Sequence, residues 1–116
     1  MKNKSRVPRW GEIWEADLGK RNGSSQAGSR PVLIISNDVG NHFAQTVIIA
    51  PLTAKKKNMK MPTHIEIEHE ALHKKSTILL EQIKTIDKEH LGNRICMLPP
   101  ELKTKVKSSI KKSLNL

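Results

Sequence analysis

PVLIIS, residues 31–36, is the most apolar run in the chain, and its reading decides the fold. Six residues rich in Val and Ile are too few for a helix to stand on, and they suit a strand buried on both faces. Just ahead lies GKRNGSSQAGS (19–29), whose Gly and Ser content marks a mobile loop. Arg30 therefore stands where loop turns into strand, a cation at the mouth of a buried element.

Working outward, EIWEADL (12–18) alternates over part of its length and reads as a first strand, with Trp14 as a core anchor. NDVGNHFAQ (37–45) reads as a turn or short helix, and TVIIAPL (46–52) as a second buried strand stopped by Pro51. TAKKKNMKMP (53–62) carries four lysines and no apolar period, so it is a basic loop. THIEIE (63–68) alternates cleanly, and STILLEQIKTI (76–86) is one long bent strand or two. DKEHLG (87–92) makes one helical turn ending at Gly92, and RICML (94–98) is a last strand. After Pro99, Leu102, Val106, Ile110 and Leu114 recur every fourth residue among lysines, the pattern of an amphipathic helix opened by proline. Short strands with few helices between them predict a mainly β fold, a small curled sheet or barrel with one C-terminal helix.

Composition narrows the function. A chain of 116 residues forms one domain with a single modest core, residues 1–8 reading as a flexible N-terminal arm. Its 36% hydrophobic content excludes a disordered chain. Lys and Arg number 21 against 11 Asp and Glu, a formal charge of +10, which points to a polyanion or an acidic protein partner. With no Tyr, one Phe and two Trp, the chain lacks the aromatics of a base-stacking sheet. No apolar stretch reaches the roughly 18 residues that span a bilayer, and no secretion signal is evident, so no membrane is expected and the cytoplasm is the expected compartment. Cys96 is the single cysteine, which forbids an internal disulfide and fits a reducing environment.

GEIWEADL, GSRPVLIISND, VIIAPLT, MPTHIEI and ILLEQIKTIDKEHL occur in the order, and nearly at the spacing, of the MazF/PemK family of toxin endoribonucleases, from about Arg9 to the C-terminus. The resemblance implies an SH3-like barrel of the CcdB/PemK type with a C-terminal helix. It also implies a homodimer that cleaves single-stranded RNA, chiefly mRNA, at short sequences without a metal or other cofactor. Its expected partner is a cognate, MazE-like antitoxin with an acidic C-terminal segment. Two places depart from the family pattern. The loop before the arginine reads Ser25, Gln26, Ala27, Gly28 where an acidic residue and paired glycines are usual, and Ser36 stands where Gln commonly precedes Asn-Asp. Two other readings share the fold: a catalytically inactive module that binds nucleic acid or antitoxin, and a gyrase poison. The latter is expected to use an aromatic near its C-terminus, whereas this chain ends KKSLNL.

Metal-free RNA cleavage turns the ribose 2′-hydroxyl on the adjacent phosphate, leaving a 2′,3′-cyclic phosphate and a 5′-hydroxyl. It requires a proton acceptor, stabilisation of extra charge on phosphorus, and a proton for the leaving oxygen. Arg30 suits the second task, because a guanidinium donates two parallel hydrogen bonds to phosphate oxygens and stays charged. Thr53 offers a hydroxyl to the same phosphate. The positions matching Arg30 and Thr53 are the family's catalytic pair. His64 is the alternative acid or base, since imidazole exchanges protons near neutrality. Gln26, Asn37, Lys56, Met61, Glu81 and Gln82 fall where the resemblance places the RNA groove: amides and carboxylate for base edges, Met61 for a base face, Lys56 and its neighbours Lys55, Lys57 and Lys60 for the backbone. His64, His69 and His73 do not fit a common zinc spacing, and Glu66 with Glu68 reads as an exposed strand face, so no metal site is expected.

Overall fold

The computed structural model describes residues 7–20, 23, 26–54 and 61–116. Most of the expected N-terminal arm, part of the loop before Arg30 including Ser25, and residues 55–60 of the lysine loop lie outside the described residues.

Seven strands and two helices run in the order β1 (Glu12–Asp17), β2 (Ser29–Ile34), α1 (Asp38–Phe43), β3 (Thr46–Thr53), β4 (His64–Ile67), β5 (Ser76–Leu79), β6 (Lys84–Asp87), β7 (Leu91–Met97) and α2 (Lys103–Ser113). Short 3-10 turns at Lys88–His90 and Pro100–Leu102 lead into β7 and α2. All pairings are antiparallel, in the spatial order β4-β5-β3-β2-β1-β7, with β6 also on β3. This is the mainly β sheet with a C-terminal helix that the sequence predicts. Two register shifts where β1 meets β7 bend that edge.

β3 is the hub. Thr46 to Ile49 pair with β6, while Leu52 and Thr53 pair with β5. Pro51 does not stop the strand, contrary to expectation. Ile48 directs its N–H to Ser36 Oγ and its C=O to the Ile35 N–H, both on the β2 side. By alternation, residue 51 turns its backbone to the other side, into the gap between β6 and β5, where no N–H is needed.

PVLIIS is buried as predicted, with Val32, Leu33 and Ile34 fully enclosed, but the strand runs from Ser29 to Ile34. Burial on both faces gives two clusters rather than the single core expected. Ile13, Leu33, Leu52, Ile78 and Leu98 pack with Val106 of α2 on one side; Trp14, Val32, Ile34, Val47, Ile49 and Ile86 pack on the other. The STILLEQIKTI segment is two strands, β5 and β6, separated by the turn at residues 80–83.

Gly92 does not end a helical turn. It lies inside β7, where a Cβ would meet Glu15 Oε1 at 3.2 Å. The α2 stripe is also narrower than the fourfold repeat suggests: Val106 and Ser109 are buried, Leu102 and Ile110 are half-buried, and Leu114 lies past the helix at 53% exposure. Ser109 donates to the carbonyl of Pro62 at 2.9 Å, so a hydroxyl serves where an apolar contact was anticipated. Among the described residues no helix is long and apolar enough to cross a membrane.

Candidate active site

β2 and β3 bring the two predicted catalytic residues together. Their ladder pairs Val32 with Pro51, Leu33 with Ala50 and Ile34 with Ile49. The same count carried two residues further sets Arg30 opposite Thr53, and cross-strand partners project to one face. The ladder ends before that point, in keeping with the missing N–H of Pro31. Arg30 stands at the strand entry as expected: it is the second residue of β2 and pairs with Ala16 of β1. Its Nε donates to the Ala27 carbonyl at 2.9 Å, and its Nη1 to the Leu52 carbonyl at 3.4 Å. The guanidinium is therefore clamped between its own loop and the residue before Thr53. Thr53 ends β3, 3% exposed and paired with Thr77.

The loop is tied down from across the sheet. Gln82, in the turn after β5, accepts the Gln26 N–H on its Oε1 at 3.0 Å, 56 residues along the chain. Beside it, Glu81 holds two partners: Thr63 Oγ1 donates to its Oε1 at 3.1 Å, and its Oε2 lies 2.9 Å from His64 Nε2. His64 begins β4 with its side chain 9% exposed. A continuous path thus runs from His64 through Glu81, Gln82, Gln26 and Ala27 to Arg30. Met61, 40% exposed, joins it by accepting the His64 backbone N–H on its carbonyl.

Two predicted residues are not drawn in. Asn37 sits beyond the other end of β2, where its side chain caps α1 by accepting from the Gly40 N–H at 2.8 Å. Ser36, the departure from the family pattern, works beside it: its Oγ donates to Asn41 Oδ1 and accepts the Ile48 N–H, pinning α1 to β3. Lys56 lies outside the described residues. Glu66 and Glu68 both face Lys75, at 3.2 and 3.7 Å, and the hydrogen bond and charge of Glu66 raise that amine's pKa. His69 accepts the Ala71 N–H on Nδ1. Among the described residues one trio, Asp87, Glu89 and His90, could hold a metal; all three are exposed, Asp87 at the end of β6 and the other two in the 3-10 turn after it.

Sequence reasoning missed Thr63, read only as a strand residue, and the carbonyls of Ala27 and Leu52 that fix Arg30. Thr63 meets Glu81 across 18 residues of chain, and no local spacing signals that contact.

A curled antiparallel sheet with a C-terminal helix, a clamped arginine near the end of β3 and a strong positive charge define a small basic β protein of the toxin type. The chain belongs to the family of PemK-like, MazF-like toxins of type II toxin–antitoxin systems, whose pattern it matches over residues 9–114. It is 45% identical over 108 residues to the endoribonuclease EndoA of Bacillus subtilis, covering 91% of this chain and 93% of that one. MazF of Deinococcus radiodurans superposes with a TM-score of 0.82 at 19% identity, covering 96% of this chain and 99% of that one. A mycobacterial endoribonuclease solved in complex with its cognate antitoxin superposes with a TM-score of 0.79 at 24% identity, over 94% and 96% of the two chains. The resemblance read from the sequence, and the endoribonuclease toxin class with it, holds.

Proposed function

We propose that this endoribonuclease cuts single-stranded RNA at selected sequences, without a metal, by attack of the 2′-hydroxyl on the neighbouring phosphate. The observation that carries this reading is the register that sets Arg30 opposite Thr53. In it the guanidinium supplies a fixed positive charge for the phosphorane-like transition state and Thr53 a hydroxyl beside it. Gln26, Gln82, Met61 and Asn37 are read as contacts to bases, and Lys56 as a contact to the RNA backbone. The protein works as a homodimer in the cytoplasm, held inactive by an antitoxin whose acidic C-terminal segment meets the chain's +10 charge.

The test is cleavage of a defined single-stranded RNA by purified protein in chelator, with product ends analysed. Wild type is expected to leave 2′,3′-cyclic phosphate and 5′-hydroxyl ends. Arg30→Ala is expected to lose about 100-fold or more in kcat, the scale of removing one preorganised donor to a developing oxyanion; Thr53→Ala should be impaired in the same way. Intact RNA with wild type, or undiminished cutting by Arg30→Ala, would refute the reading.

A further inference from the structure

From the geometry around the β5–β6 turn we infer that Glu81 acts as a positioning residue for His64, making its Nδ1 the acceptor of the 2′-hydroxyl proton. The inference rests on the endoribonuclease reading above and assigns the group that reading leaves open.

Both oxygens of Glu81 are engaged inside the protein, Oε1 by the Thr63 hydroxyl and Oε2 by His64 Nε2. A carboxylate can only accept, so the hydrogen between Glu81 and His64 belongs to Nε2. A neutral ring with its proton on Nε2 keeps its lone pair on Nδ1. That atom has no partner among the described residues, where no buried side-chain polar atom lacks one, so Nδ1 reaches solvent. The remainder of the ring is enclosed, the side chain being 9% exposed. Thr63, 7% exposed, fixes the carboxylate from behind, and the Met61 carbonyl holds the His64 backbone N–H at 2.9 Å. Orientation, tautomer and an open basic nitrogen are the three properties that a carboxylate held by its own hydrogen bonds confers on a proton-accepting histidine.

The dyad also has the right neighbour. Gln82 follows Glu81 directly and ties down the loop whose Ala27 carbonyl holds Arg30, so one turn carries both the carboxylate that orients the base and the anchor of the cation's loop. Nδ1 takes the proton of the 2′-hydroxyl as O2′ bonds to phosphorus. The P–O5′ bond then breaks with its electron pair on O5′, which takes a proton from solvent, and the imidazolium returns its own proton to solvent. Arg30 balances the added negative charge on the phosphoryl oxygens. An arginine need then accept no proton, a task for which its free pKa of roughly 12.5 to 13.8 leaves it poorly suited.

Two measurements test this. Ring-nitrogen NMR of wild type at pH 8 is expected to show His64 protonated on Nε2, drifting toward the mixture of free histidine in Glu81→Ala. Single-turnover cleavage with saturating RNA is expected to fall about 100-fold for His64→Ala and about tenfold or more for Glu81→Ala. Glu81→Gln, which keeps an oxygen acceptor, should recover much of the loss. In the His64→Ala background Glu81→Ala should add no further loss, because it acts through the ring. A wild-type proton on Nδ1, full activity in His64→Ala, or an undiminished effect of Glu81→Ala in that background would each overturn the assignment. The endoribonuclease reading fails separately, if wild type does not cut.

Discussion

Glu12 offers the sharpest test of how the sheet is held. It is a carboxylate 4% exposed at the start of β1, and it accepts three hydrogen bonds: from the Arg9 N–H at 2.8 Å and Trp14 Nε1 at 3.1 Å on Oε1, and from Arg94 Nε at 2.6 Å on Oε2. The last joins β1 to β7 across 82 residues. Glu12→Ala deprives all three donors of their acceptor at once. The indole N–H of Trp14, 2% exposed, then loses its acceptor, which costs about 1–3 kcal/mol. The Arg94 side chain, 28% exposed, regains only part of its hydration, so its loss adds about 1.5 kcal/mol at the lower end of the range for charged pairs. The sum, about 2.5–4.5 kcal/mol, is close to the general cost of breaking a buried ion pair by deleting one partner. For a chain of this length that is a fall of about 10–18 °C in Tm. Glu12→Gln keeps Oε1 for Arg9 and Trp14 and forfeits only the Arg94 contact, so it should lose about half as much. Urea unfolding of the three proteins at one protomer concentration, followed by Trp fluorescence and by circular dichroism, separates the cases. If Glu12→Ala unfolds within about 1 kcal/mol of wild type, or Glu12→Gln is as damaged as Glu12→Ala, the carboxylate is not the joint described here.

Three further outcomes are expected. Burial raises the pKa of the Cys96 thiol above its ordinary 9.0, with Arg94 opposing, so the native protein should react with a thiol reagent at pH 8 far more slowly than the urea-unfolded chain; equal rates would refute that environment. The sign of the linkage follows: the raised native pKa gives stability that is fully present below the unfolded thiol's value and is lost as pH rises through the native one, and Cys96→Ala should abolish that alkaline component. Asn37→Ala should cost about 1 kcal/mol through the lost cap of α1, with Asn37→Ser recovering most of it in thermal melts. Gln82→Ala frees the Gln26 N–H and loosens the loop that clamps Arg30, so it should lower kcat while speeding amide exchange at residues 26–28; unchanged exchange would count against the tie.

Ser109 and Leu114 show where patterning misleads. Leu114 fits the repeat but falls past the last turn of α2, and a period of four drifts round the helix from the 3.6 that keeps one face, so Ser109 occupies the buried stripe by bonding to Pro62. Pro51 shows the same limit in a strand. A proline is a strand breaker only if its N–H position faces a partner, and that depends on which strands flank β3.

The sequence by itself determined the buried strands, the C-terminal helix, the basic character and the two residues most suited to a phosphate. The first three are written in local composition, as β-branched runs, a proline-opened amphipathic repeat and the charge count, while Arg30 and Thr53 were marked out by the resemblance to the family. What only the tertiary structure decided is which of those residues meet. The β2–β3 register, continued past the end of its ladder, brings Arg30 level with Thr53, and Arg30 reaches the Leu52 carbonyl beside it. His64, Glu81 and Thr63 form one group because β4 pairs with β5 and the turn that follows folds back over the strand's start. Register is a property of whole strands packed on a core, and no short window of sequence contains it.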